Sequence, residues 1–237
     1  MLMSSFLEIN GVYAEKMKRA LRLRYEPVAV KLIGEGEDYP ACCETPDEQM
    51  SHCQAMFRAK DGACLCMPVD RHNCHVGSSA LNMKAAPEKV VNGEYHAALG
   101  IHESPAAAAR MISERVLPRA CVGEVVCPLS KADFEPDVVV LIDIAERIYW
   151  LSAMATAAEG GRVSYSTSPF QCTCEDLVSM PMVTGKPNIS LGCYGCRRKT
   201  DMKAEELGCG IPYSEIPAYV ERLERFEAGI MVKSKRD

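Results

Sequence analysis

The sequence predicts an α/β protein, built as one mixed sheet or as two similar lobes with helices covering the faces, and three features carry that prediction. Two aliphatic runs, VAVKLI at 28–33 and PDVVVLID at 136–143, each begin at or just after a proline and read as buried strands. Amphipathic stretches with apolar residues three and four apart surround them, closed by glycine or proline. The two halves also present their parts in one order: strand, helix closed by glycine, strand, cysteine loop, Leu-Gly. This predicts pseudo-repeats over 25–103 and 134–212 and a C-terminal helix over 213–228, within a single domain of 1–237.

In chain order, Ser5 to Leu23 places Phe6, Ile9, Tyr13, Met17 and Leu21 on one face and Lys16, Lys18 and Arg22 outward, a helix stopped at Glu26-Pro27. Val28 to Ile33 is the first strand, bounded by Gly34 and Gly36. Cys42-Cys43 falls in a loop. Thr45-Pro46-Asp47-Glu48 has a capping-box pattern with proline at the first helical position, so a helix is expected from about Pro46 to Ala59. Met50, Cys53 and Phe57 share one of its faces, and its end at Gly62 would hold the Cys53 sulfur near the CLC segment. Short helices are expected at Ser78 to Lys84 and Pro87 to Val91, a strand at Ala97 to Ile101, and a helix from Ser104-Pro105 to Pro118. Gly123 to Cys127 and Pro136 to Asp143 follow as strands, the second apolar enough for the middle of a sheet. Ala145 to Glu159 reads as a helix closed by Gly160-Gly161, and Arg162 to Ser166 as a strand. Tyr213 to Glu227 is an amphipathic helix with Ile216, Val220, Leu223 and Phe226 on one face, closing the fold or a homodimer.

Composition narrows the function. A formal net charge of −5 over 237 residues gives no general basic face to displace counterions, so neither nucleic acid nor an acidic membrane is an expected partner. The longest aliphatic run, Val138 to Ile142, is too short to span a bilayer, and the N-terminus lacks the order of a secretory leader, so a cytoplasmic location is expected. Thirteen cysteines in a reducing compartment point to metal binding or redox chemistry rather than a disulfide framework, and so many oxidisable thiols suit an anaerobic host. No G-x-G-x-x-G, P-loop, nucleophile elbow or H-E-x-x-H motif is present, and no side chain is singled out as catalytic.

The chemistry lies in the cysteines. The stretch from Gly62 to His75, GACLCMPVDRHNCH, holds Cys64 and Cys66, whose sulfurs share a face in an extended segment, and Cys74 close to His72 and His75. Cys172-Thr173-Cys174 repeats the C-x-C. Cys193-Tyr194-Gly195-Cys196 is a C-x-x-C whose Gly192 and Gly195 allow a tight turn that faces both sulfurs to one centre. Such spacing suits half of a zinc site, part of an iron–sulfur site or a redox dithiol, and a C-x-C can also be plain packing. A pool of seven, Cys64, Cys66, Cys74, Cys172, Cys174, Cys193 and Cys196, exceeds the four ligands of zinc and favours an iron–sulfur cluster of the [4Fe-4S] kind, with zinc as runner-up. Gly195 and Arg197 are expected beside the cofactor, one through its backbone and one through its charge. Arg198 and Lys199 read as solvated, His72, His75 and His102 as satisfied polar residues, and Cys121, Cys127 and Cys209 as packing.

The segments EPVAVKL, SHCQAMFRAKDG, DRHNCHVGSSALNM, PDVVVLID, QCTCEDL, PMVTGKPNISLGCYGCR and GIPYSEI resemble the domain of unknown function 169 family, also labelled archaeal cysteine-rich. The resemblance covers nearly the whole chain and implies no activity. It implies that Cys53, Cys74, Cys172 and Cys193, with Gly195 and Arg197, are core positions, and that Cys64, Cys66, Cys174 and Cys196 are additions of a cysteine-rich branch. The expected function is iron–sulfur electron transfer or small-molecule redox chemistry of anaerobic metabolism, with a redox partner that the residues do not identify. The alternatives are a non-catalytic module that delivers a metal, metallocofactor or tetrapyrrole, and a zinc-stabilised interaction protein.

Overall fold

The two valine-rich runs pair with each other at the centre of the molecule. In the computed structural model, which describes residues 5–234, β1 (Val28–Ile33) and β4 (Val138–Ile144) run antiparallel with Ala29 opposite Val139. The first four residues, where the N-terminal reading begins, lie outside the described ones. Side chains alternate along each strand, so Val28, Val30, Leu32, Val138, Val140 and Ile142 enter one core while Ala29, Ile33, Val139 and Leu141 enter another. Both faces are apolar, which is why these strands take the middle of the sheet.

β3 (Gly123–Pro128) adds to β1 and β2 (Leu65–Pro68) to β3; on the other side β6 (Glu206–Pro212) adds to β4 and β5 (Asn188–Ser190) to β6. The α/β expectation holds as one six-stranded sheet, ordered β2-β3-β1-β4-β6-β5, whose named strands all pair antiparallel. Outward from the centre each half runs first, third, second strand. β3 and β6 both end in proline followed by a 3-10 turn, Leu129–Lys131 and Tyr213–Glu215. β3 lies beyond residue 103, where the first repeat was expected to end.

The face bearing Ala29 and Val139 is covered by the helices Phe6–Leu21, Ala145–Ala155 and Ile216–Ala228. Ser5 and Glu8 cap the first of these reciprocally, and Arg22 ends it in the left-handed region at φ 54°. Its buried side runs through Asn10, Ala14 and Met17 and leaves Phe6 exposed, because Asn10 donates to the Ala132 and Phe134 carbonyls at 2.9 and 3.0 Å and turns that side inward. The opposite face carries the helix His52–Lys60 against β3 and a π-helix, Cys172–Ser179, against β6. The π-helix comes close because β6 has no side chain beneath it: a Cβ on Gly210 would stand 2.0 Å from the Leu177 carbonyl oxygen, and one on Gly208 2.4 Å from Leu177 Cδ1.

Three sequence expectations are corrected. The helix expected from Pro46 begins at His52, capped by Ser51 and Gln54, because Met50 is held extended by hydrogen bonds with Arg71 and Asn73. Ala97 to Ile101 is not a strand but the end of a short helix, Glu94–Ala97, and a turn through Gly100 at φ 75°. Arg162 to Ser166 lies outside any strand, since the Ser166 backbone pairs with the Asn188 side-chain amide at 2.9 and 2.7 Å instead of with a neighbouring strand.

Candidate metal centre

The helix His52–Lys60 and the π-helix border a cavity of about 390 Å³ whose wall carries five thiols: Cys53, Cys74, Cys174, Cys193 and Cys196. Helix starts position most of them. Cys53 is the second residue of its helix, Cys74 is the N-cap of His75–Ala80, and Cys193 is the N-cap of Tyr194–Lys199, which sets Cys196 one turn on. Cys172 opens the π-helix that also carries Cys174. Residues two apart on a helix diverge, so the two sulfurs face different neighbours. Cys172 Sγ accepts the Cys193 N–H at 2.7 Å, whereas Cys174 faces Cys74: a Cβ on Gly77 would lie 3.6 Å from Cys74 Sγ and 3.9 Å from Cys174 Sγ.

Backbone N–H groups are aimed at other sulfurs too, Cys196 donating to Cys193 Sγ at 3.3 Å and Gly77 to Cys74 Sγ at 3.4 Å, an arrangement that stabilises thiolate over thiol. Burial works against it. Burial raises the Cys172 and Cys174 pKa values, and the Cys172 sulfur followed by burial raises that of Cys193. A cation among the sulfurs reverses that balance. Arg198 and Lys199, expected to be merely solvated, line the cavity, as does Gly195. Arg197 does not: its guanidinium donates to the carbonyls of Leu191, Lys203 and Glu206, so it braces the C-x-x-C loop from behind.

Below Cys53 lies a buried ion pair. His52 Nδ1 is 2.7 Å from Glu124 Oε2, and His52 Nε2 donates to the Thr173 carbonyl at 2.9 Å, which ties the helix to the C-x-C segment. Burial opposes both charges, but the attraction between them outweighs it, raising the His52 pKa and lowering that of Glu124. His72 stands 3.6 Å from the other Glu124 oxygen, with burial lowering its pKa. Gln171, N-cap of the π-helix, takes a left-handed backbone at φ 67°, a strain of about 1–3 kcal/mol for a non-glycine residue. Its buried side-chain amide finds no hydrogen-bond partner among the described residues.

The structure brings Cys74, Cys172, Cys174, Cys193 and Cys196 of the expected pool together and sets Cys64 and Cys66 apart. Those two do share a face, but it is the face of Ala29 and Val139, on the other side of the sheet. Cys53 is correspondingly far from the role expected beside the CLC segment and belongs to the cavity. On the far face the sulfurs of Cys42, Cys43 and Cys127 all lie within 4.8 Å of one another, and this group could hold a metal ion. Cys127, expected to pack, is therefore part of a donor set, whereas Cys121 donates to the Leu81 carbonyl at 3.2 Å and Cys209 is fully buried. Sequence reasoning missed Cys42, Cys43 and the His52–Glu124 pair. The adjacency of two cysteines was the only local signal, and nothing in a linear reading joins position 43 to 127 or 52 to 124.

Fold and site define the class: an α/β protein with a six-stranded antiparallel sheet, a thiol-lined cavity on one face and a compact thiol group on the other. The chain belongs to the domain of unknown function 169 family, described as uncharacterised ArCR, whose sequence profile matches residues 16–222. It is similar to the uncharacterised protein MJ0308 of Methanocaldococcus jannaschii, 30% identical over 229 residues that cover 93% of this chain and 97% of that one. No solved structure matches it. Among the described residues, no helix is long and apolar enough to cross a membrane.

Proposed function

We propose that the cavity binds a thiolate-held iron–sulfur cluster of the [4Fe-4S] kind and serves electron transfer or small-molecule redox chemistry in a reducing, cytoplasmic setting. The observation that carries this reading is five thiols in the wall of one cavity, with a sixth, Cys172, directly behind them. Their spacing argues for a cluster. Cys172 meets Cys193 and Cys196, Cys196 meets Cys53, and Cys174 faces Cys74, yet among the described residues no three of these sulfurs lie within 4.8 Å of one another, so they are spread around the wall rather than gathered at one point. They suit an object several atoms across, in which each thiolate binds a different iron. When bound, such a cluster supplies one-electron transfer.

The chain's own contribution is ligation and charge control. Cys74, Cys172, Cys174, Cys193 and Cys196, joined by Cys53, form the donor pool; the N–H groups of Gly77, Cys193 and Cys196 stabilise negative sulfur, and Arg198 and Lys199 offset anionic charge at the mouth. The donors come from both halves, which we read as pseudo-repeats with the first extended through β3. A second reading, delivery of the cofactor to an acceptor, draws on the mouth itself, where Tyr95, Leu99 and Tyr194 are 50%, 39% and 44% exposed and offer an apolar rim for docking.

The test is an absorption spectrum with iron, zinc and acid-labile sulfide analysis on protein purified without oxygen. Matched iron and sulfide are expected, with a reversible potential if the role is electron transfer and release of the intact cluster to an acceptor if it is delivery. Zinc without sulfide, or no iron after reconstitution, overturns the reading.

A further inference from the structure

The thiols on the far face form a second group, chemically unlike the first. Cys42 and Cys43 are adjacent, with sulfurs 3.4 Å apart, and both approach Cys127. Their loop is latched to the edge strand by two hydrogen bonds, Glu44 N–H to the Cys64 carbonyl at 3.1 Å and Cys66 N–H to the Glu44 carbonyl at 2.9 Å. The pairing of β2 with β3 sets Leu65 opposite Val126 and Cys66 opposite Val125; continued by one residue, it sets Cys64 opposite Cys127. Directly opposed side chains on one face have Cβ atoms only about 5 Å apart, and the Cys64 and Cys127 sulfurs do interact.

We propose that Cys42, Cys43, Cys64 and Cys127 bind a single tetrahedral metal ion of the zinc type, at a closed site independent of whatever the cavity holds. The metric supports it. Four sulfurs about 2.3 Å from a tetrahedral ion stand roughly 3.8 Å from one another, which matches three sulfurs already within 4.8 Å and does not match the wider spread of a cluster. Cys42, Cys43 and Cys64 are only partly buried, so an ion can reach them from solvent, while Cys127 is fully buried and forms the floor. Binding exchanges four S–H protons for four metal–sulfur bonds and leaves a site of net charge −2 on a divalent ion. The Lys131 ammonium, which acts on Cys64 and is fixed by donation to the Gly62 carbonyl at 2.8 Å, offsets part of that charge. Each ligand thiol must lose its proton to bind, so affinity rises with pH; the Asp133 carboxylate, beside Cys42 and Cys64, works against the Lys131 charge. Cys66 on β2 meets the Cys43 sulfur but neither Cys42 nor Cys127, whereas Cys64 meets Cys127, so Cys66 is left outside the set of four.

The experiment titrates Co²⁺, then Zn²⁺, into the reduced full chain carrying Cys172→Ser and Cys193→Ser, which removes two cavity donors. One equivalent of cobalt with the visible absorption of a tetrahedral tetrathiolate is expected, displaced by zinc, lost on adding Cys43→Ser or Cys64→Ser, and retained on adding Cys66→Ala. If the cavity substitutions prevent folding, the unsubstituted chain answers through alkylation: zinc should slow iodoacetamide labelling of Cys42, Cys43 and Cys64 by roughly tenfold or more. A cobalt spectrum that survives Cys43→Ser, unchanged labelling rates, or a Cys42–Cys43 disulfide in place of bound metal would overturn the proposal.

Discussion

Two groups of cysteines lie on opposite faces of one sheet, and the backbone that carries each decides how far apart its sulfurs stand. On the far face Cys64 and Cys127 belong to neighbouring chain segments of the β2–β3 ladder and Cys42-Cys43 to a loop hydrogen-bonded to it, so strand spacing of about 4.8 Å sets the sulfur separations. On the cavity face the thiols come from helix starts, and helices with their side chains are about 10 Å across. The same residue type therefore builds a tight group in one place and the rim of a cavity in the other. Count alone does not reveal the difference; carrier geometry does.

The largest effect that bears on this contrast is loss of cofactor. Replacing Cys172 and Cys193 together by serine should remove all bound iron and sulfide, while Cys43→Ser with Cys127→Ser should leave both in place; equal losses in the two variants would show a single coupled centre. Next in size is stability. His52→Ala leaves Glu124 charged and buried without its partner, so guanidinium unfolding of the metal-free protein should show a loss of about 3–5 kcal/mol, whereas the part-exposed Cys64→Ser should cost well under half as much. A methyl group is enough for the third effect: Gly210→Ala forces the Leu177 backbone off the sheet, at about 1–3 kcal/mol, and should lower iron content by moving Cys172 and Cys174 while sparing cobalt binding on the far face.

The smallest effect is in pH dependence. Burial, then the neighbouring His102 and Arg115, lower the His96 pKa from 6.5 to about 4. Between those values the unfolded chain binds a proton that the folded chain does not, so the stabilisation is present above pH 6.5 and is lost as pH falls toward 4. Thermal melts of the metal-free protein should show that loss, and His96→Phe should flatten it. Since His96 lines the cavity, the far-face variants should keep the wild-type profile.

Much of the fold was legible because strands and helices announce themselves locally. Proline before VAVKLI and in PDVVVLID, and apolar residues on both faces of each run, marked the two central strands. The capping box at Thr45 misled because it is a local signal overridden by a distant one, the pairing of Met50 with the His72 segment across the sheet edge. The C-x-x-C and the second C-x-C, placed in one pool, lie beside each other, with Cys172 Sγ accepting the Cys193 N–H. The first C-x-C was read correctly as two sulfurs on one face, but which face depends on strand order, and that depends on β3, whose partners are 55 or more residues away along the chain. Cys127 looked like packing for the same reason: its meaning lies in what stands opposite.

The helix Phe6–Leu21 packs against Ile216–Ala228, with Lys16 2.8 Å from Glu224 and Arg19 3.3 Å from Glu227. One end of the chain thus waits for the other. On a ribosome adding roughly ten residues per second, Cys53 and Cys74 leave the exit tunnel many seconds before Cys193 and Cys196 exist. Until then the early thiols lack the C-x-x-C and the sheet lacks β6. Assembly of the cavity therefore waits for the segment that carries Cys193 and Cys196, and any cofactor is inserted only after that segment is made.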